Sequence, residues 1–182
     1  MENNDKLENE NNEVKADQVA NNVPNGQAPE SVWADGVPAK VTDEDKLTVQ
    51  QLQAMAVKYI AEQVLAQRGF RIEPGFPRMA SPNIVCEKDG KVYAIIAFPS
   101  VYPQFVGLSD EFRLKFVDLC KKNNSIPLFA PVGYRSVDEE RAKASLVLKG
   151  DVFRVTFPGF LEMTDVEKFD YTKVTPEMYF RP

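Results

Sequence analysis

The sequence predicts an α/β domain built on a mixed central sheet flanked by helices. Three observations predict it. An amphipathic helix opens at Thr48. A hairpin follows around Asp89-Gly90, and its second strand, "KVYAIIAF" (91–98), is apolar nearly throughout. Beyond that strand, helices and strands alternate. Continuous apolarity marks a central strand covered on both faces, and the alternation marks helices layered on a sheet.

The first helix is justified at both ends. Thr48 and Gln51 form a T-x-x-Q capping box, in which hydroxyl and amide satisfy orphan backbone N–H groups. Leu52, Met55, Ala56, Tyr59, Ile60 and Val64 follow at spacings of three and four and define one buried face. Gly69 supplies the left-handed residue that ends it. Phe70 to Glu73 alternates as a short strand, and "PGFPRMASP" (74–82), with three prolines, is a loop. Asn83 to Lys88 and Lys91 to Phe98 are then the two strands of the hairpin, and Asp89-Gly90 suits a two-residue turn of positive φ.

Ser109 caps the second helix. Asp110 and Glu111 stand in its first turn and Lys121 and Lys122 in its last, each opposing the local end of the dipole. Phe112, Phe116, Leu119 and Cys120 are its apolar stripe, and Arg113, Lys115, Lys121 and Lys122 read as its solvated face. "SIPLFAPVG" (125–133) is a buried strand. "SVDEERAKASLVL" (136–148) opens with Ser136 and Glu139, a second capping box, and predicts a short helix. "DVFRVTF" (151–157) alternates as a strand, and no clean period follows Leu161. The predicted order is therefore helix, three strands, helix, strand, helix, strand.

Charge divides the chain in two. Residues 1–46 carry eleven acidic and four basic side chains, and residues 47–182 carry sixteen and eighteen. The first segment is rich in Asn, Glu, Asp and Pro and poor in large apolar residues, so it predicts a disordered acidic tail preceding a single domain over 47–182. Trp33, the one tryptophan, interrupts it within "ESVWADGVP" (30–38). It is either a linker residue or a short partner-binding motif. The near-neutral domain offers little attraction for nucleic acid. The first eighteen residues have no basic or apolar run of a secretory signal, and no apolar run approaches the ~20 residues of a membrane span. The expectation is a cytoplasmic protein with no membrane association.

No histidine occurs anywhere, which excludes Ser-His-Asp and Cys-His catalysis and histidine-based zinc sites. Two cysteines, Cys86 and Cys120, cannot make a zinc site alone and read as buried free thiols of a reducing compartment. No spaced glycine motif for phosphate is present. No cofactor and no metal is expected.

The order of elements over residues 48–133, and above all the hairpin "SPNIVCEKDGKVYAIIAFPS" (81–100), resembles the restriction-endonuclease-like fold of the PD-(D/E)XK nuclease superfamily, whose core runs α-β-β-β-α-β. In that family an aspartate opens the strand before the turn and an E-x-K triplet lies on the next strand. The carboxylates hold divalent metal, and the lysine assists the attacking water. Mapped residue by residue, Asn83 stands for the aspartate, Ile96 for the glutamate and Phe98 for the lysine. Glu62 matches the further glutamate that members often carry on the first helix. Isoleucine and phenylalanine offer a metal no ligand, so the resemblance implies the fold with a degenerate active site and no catalytic residue.

It also implies that the loop "FPSVYPQFVGLS" (98–109) leaves the central strand beside the former active face. Val101, Tyr102, Phe105 and Val106 would there form an apolar surface. Such a surface is either packed on its own core or a contact for another protein or another copy. The leading expectation is a non-catalytic nuclease-like domain acting through protein contacts. The alternatives are a metal-dependent nuclease with carboxylates relocated to Glu73, Glu87 or Asp89, and a non-catalytic nucleic-acid-binding module.

Overall fold

The computed structural model describes residues 31–32, 38–39, 41–104 and 107–180. Ser31–Val32 (β1) and Pro38–Ala39 (β2) pair antiparallel as a separate two-stranded ribbon. Most of the acidic segment expected to be a disordered tail lies outside the described residues. Residues 41–46 are part of the fold: Val41 packs against Leu146 and Leu148, and Lys46 bridges to Leu148. The packed chain thus begins before Leu47.

The first helix forms as its sequence dictates. Val49–Tyr59 (α1) is capped by Thr48, whose hydroxyl accepts from the Gln51 N–H at 3.2 Å, while Gln51 Oε1 accepts from the Thr48 N–H at 2.9 Å. The helix widens into a π-helical stretch, Ile60–Leu65, and tightens again over Ala66–Arg68. It stops at Gly69, φ 74°. Arg71–Ile72 (β3), Ile84–Lys88 (β4) and Lys91–Val101 (β5) follow, with Asp89 and Gly90 both at positive φ in the predicted turn. Asp110–Lys122 (α2), capped by Ser109, crosses over to Ile126–Ser136 (β6). Glu139–Lys143 (α3), Phe153–Thr156 (β7), Phe160–Glu162 (β8) and Tyr179–Phe180 (β9) complete the domain.

The predicted mixed sheet flanked by helices is the one observed. Its order is β3-β4-β5-β6-β8-β9, with β7 also paired to β6. β5 and β6 are parallel, as a helical crossover requires, and the other pairings are antiparallel. The apolar run of β5 is divided between two cores by strand alternation. Ile95 and Ala97 face α1, packing with Ala56, Ile60 and Leu65. Ala94 and Ile96 face α2, packing with Phe116, Val117 and Cys120.

Four local expectations are corrected. β5 runs to Val101, through Pro99. Its β4 neighbour has ended by then, so only the β6 side is paired and the missing proline N–H costs the sheet little. Ser136 ends β6 instead of capping a helix. The cap of α3 is Asp138, whose carboxylate accepts from the N–H groups of Glu140 and Arg141 at 3.0 and 2.9 Å. That helix is one turn long because Ser145, φ 54°, turns the chain out of it, and Leu146, Val147 and Leu148 pack as an extended apolar run. On α2, Leu119 is exposed, and Val117 with Arg113 takes the buried face.

Candidate functional site

The mapped motif positions do not converge in the fold. Asn83 immediately precedes β4 and is 2% exposed. Its Oδ1 accepts from the Ala97 N–H at 3.0 Å, and its Nδ2 donates to the Met79 carbonyl at 3.0 Å. Gln53 of α1 completes the group, donating to the Ala97 carbonyl at 2.6 Å. The amide thus ties the proline-rich loop and the central strand together. Ile96 and Phe98 lie on the α2 side, Ile96 fully in the core and Phe98 against Phe129 with ring centroids 6.1 Å apart. Glu62 lies on the π-helical stretch that continues α1, exposed, over the other face of the sheet.

The relocated carboxylates meet a cation. Glu73 and Glu87 both close on Arg71, at 3.2 and 2.5 Å. The Glu87 carboxylate, followed by the cation's other partner Glu73, keeps the guanidinium more basic than usual. Asp89 sits in the turn. Among the described residues no three Cys, Asp or Glu side chains cluster as a metal site would require. Cys86 and Cys120 are buried and free, one in each core. Burial pushes the Cys86 thiol up to about 12, away from the low values of a nucleophile.

The cations of α2 are occupied as well. Lys115 pairs with Glu111, Lys121 with Asp165 and Lys122 with Asp118, each within 2.7 Å. Arg113 is corrected from the solvated face to the interior, 1% exposed. It donates to the carbonyls of Thr164 and Val166 and to Asp110, and its guanidinium carbon lies 5.7 Å from the Phe169 ring centre. Backbone carbonyls are what allow a charge there: they supply acceptors that water would otherwise supply.

At the end of β5, Val101 is half-buried and packs on the α1-side core. Tyr102 is 51% exposed, and the guanidinium of Arg135 lies 4.8 Å from its ring centre. Arg135 is itself held by Glu139 at 2.7 Å. Phe105, Val106 and Trp33 lie outside the described residues. The loop's far end is anchored where Gly107 meets Tyr171, whose ring stands edge-on to Phe129 and Phe169.

Sequence reasoning missed Tyr134. It lies within an apolar strand and is 1% exposed, yet its hydroxyl has no hydrogen-bond partner among the described residues. Burial, with Tyr59 nearby, raises its pKa well above the ordinary phenol value. It lines an open groove of about 260 Å³ with Met55, Lys58, Tyr59, Glu62, Gln63 and Val155. No sequence signal marks it, because the groove's walls come from segments some eighty residues apart.

No helix among the described residues is long and apolar enough to cross a membrane. No curated protein and no solved structure matches the chain. A family model matches residues 50–163, from the first turn of α1 to just past β8. The chain belongs to the family described as a domain of unknown function, DUF8840.

Proposed function

We propose that this is a nuclease-like α/β domain that has exchanged metal chemistry for protein contacts, with another protein or with a second copy of itself. Support for the scaffold comes from the run α1, β3, β4, β5, α2, β6, the α-β-β-β-α-β order of the PD-(D/E)XK core. Support for lost chemistry comes from Asn83, Ile96 and Phe98, whose side chains serve the hydrogen bonding and packing of the sheet. The single observation that carries the contact function is Tyr102. A large aromatic ring stands half in solvent at the end of the central strand, and Arg135 holds it in place. Rigid aromatics backed by arginine are the residues on which interfaces concentrate their energy. The cytoplasm is the proposed compartment, consistent with two free thiols held in separate cores.

The test has two arms. Tyr102→Ala should lower the melting temperature by only a few degrees, because the ring is half exposed and lies outside the two main cores. It should weaken self-association in sedimentation, or retention of a protein partner, by tenfold or more. Incubation with Mg²⁺ or Mn²⁺ should leave duplex and single-stranded DNA and RNA intact. Cleavage abolished by Glu73→Ala or Glu87→Ala would overturn the proposal in favour of a nuclease with relocated carboxylates.

A further inference from the structure

β7 is paired on one side only. Its register against β6 runs from Gly133 with Thr156 to Ser136 with Phe153, and no described strand lies along its other edge. An open strand edge carries a row of backbone donors and acceptors, and natural edges are usually covered, charged or bulged. This one bears a single charge, Arg154, which strand alternation sets on the opposite face from Val155. Val155 is 40% exposed, and Val152, just before the strand, is 69% exposed.

The groove lies directly beside it. Val155 is one of its walls, and Tyr134, the residue opposite Val155 in the β6–β7 register, is another. The π-helical stretch of α1 contributes Glu62 and Gln63 to the far wall. Such widened turns recur at functional sites. At about 260 Å³ the groove falls below the ~300–1,000 Å³ of small-molecule and cofactor pockets. It suits one side chain. In its wall the Tyr134 hydroxyl is buried without a hydrogen-bond partner among the described residues.

We propose that the outer edge of β7 and the groove beside it form a strand-addition site for an extended peptide of a partner protein, with one apolar side chain seated against Tyr134. Main-chain pairing supplies affinity and the pocket for alternate side chains supplies selectivity, as in other strand-addition modes. A second copy pairing edge to edge fits less well. A four-residue edge falls short of the ~1,200–2,000 Å² that a stable dimer buries. The groove's charged rim, Lys58 and Glu62, is of mixed sign, so selection falls on shape and apolarity.

The inference rests on the reading that the domain works through protein contacts, but it concerns a different surface. Tyr134 and Val155 belong to the α1 side of the sheet. Tyr102 stacks on Arg135, the next residue along β6, whose side chain takes the opposite face.

The probe is a display library of random seven-residue peptides panned against the full chain, with the enriched sequences synthesised. Enriched peptides should share an apolar residue flanked by period-two alternation and should shift the amide resonances of residues 152–156. Val155→Arg, which fills the groove from an exposed position, should weaken binding at least tenfold without lowering the melting temperature. Tyr134→Phe should weaken it threefold or more while melting at the same or a higher temperature, since it removes an unsatisfied hydroxyl. Tyr102→Ala should leave it unchanged. Failure to enrich any peptide overturns the site, as do winners indifferent to both Val155→Arg and Tyr134→Phe. So does a dimer in sedimentation that Val155→Arg dissolves, because the occupant is then a second copy. Peptides lost only with Tyr102→Ala overturn the site and leave the contact function standing.

Discussion

Asn83 does for Ala97 what a backbone carbonyl of β4 would do. Its Oδ1 accepts the Ala97 N–H at 3.0 Å, two residues past Ile95, whose partner Ile84 is the last paired residue of β4. The side chain lengthens the ladder past the point where the strand has turned away. An amide is needed because its other end must donate, to the carbonyl of Met79.

Restoring the aspartate of the nuclease pattern should therefore harm the fold. In Asn83→Asp the carboxylate keeps the Ala97 bond but turns an oxygen toward the carbonyls of Met79 and Ala80, where Nδ2 used to donate. Loss of a buried partner costs about 1–3 kcal/mol, and more with a charge. The new carboxyl should titrate above its unfolded value. Its destabilisation is then present at neutral pH and relieved as pH falls through the raised pKa. Urea denaturation of Asn83→Asp and Asn83→Ala at pH 7 and 4.5 checks this. An aspartate variant as stable as wild type at pH 7 would contradict it.

Arg113 anchors the C-terminal segment. Its fork reaches the carbonyls of Thr164 and Val166, and Asp110 receives both Arg113 and the Phe169 N–H, at 2.9 and 3.0 Å. Lysine offers a point charge where a planar fork is needed. Arg113→Lys should cost about 2–3 kcal/mol, the order of one or two charge-assisted bonds. Hydrogen exchange should speed up at 164–174 before it does in β5 or β6. Uniform loosening of the whole domain would show that the guanidinium is core rather than tether.

Arg113 also marks the limit of what the sequence disclosed. The helix caps at Thr48 and Ser109, the Asp89-Gly90 turn and the two-sided burial of β5 were legible because each is local or periodic. An arginine in a row with Lys115, Lys121 and Lys122 reads as solvated. Its carbonyl acceptors lie more than fifty residues away, in a segment without periodicity. The candidate site divides the same way. Asn83 is visible as a departure from a motif, but that it serves the sheet depends on Gln53 and Ala97. Tyr134 and Val155 become neighbours only through the antiparallel pairing of β6 and β7.

Stability should be flat from about pH 5.5 to 8 and fall in acid. No histidine is present to titrate in that interval. The hydrogen bond from Arg113, then that from the Phe169 N–H, holds the Asp110 carboxyl below its ordinary value near 3.8. Lys46 does the same for Asp43, and Lys121 for Asp165. A carboxyl held low in the folded state contributes stability above its unfolded pKa and loses it as pH falls through the folded one. Melting temperatures across pH 2 to 8 should break below about pH 4. Asp110→Asn should soften that acid limb, and an unchanged limb would assign the transition to other carboxylates.

Gly107 governs how the Tyr102 loop is fastened. A Cβ on Gly107 would stand 2.3 Å from Cδ2 of Tyr171, closer than atoms can approach. Tyr171 cannot step aside freely, because its ring centroid lies 5.5 Å from that of Phe129 and 4.8 Å from that of Phe169. Gly107→Ala should therefore cost about 1–3 kcal/mol, the range of overpacking in a filled core. Gly107→Ala combined with Tyr171→Ala should cost no more than Tyr171→Ala alone, since the ring that the methyl strikes is gone. If association weakens in Gly107→Ala while the double variant regains it, the loop's anchorage and its contact surface are one mechanical unit. Additive losses in the double variant would separate them.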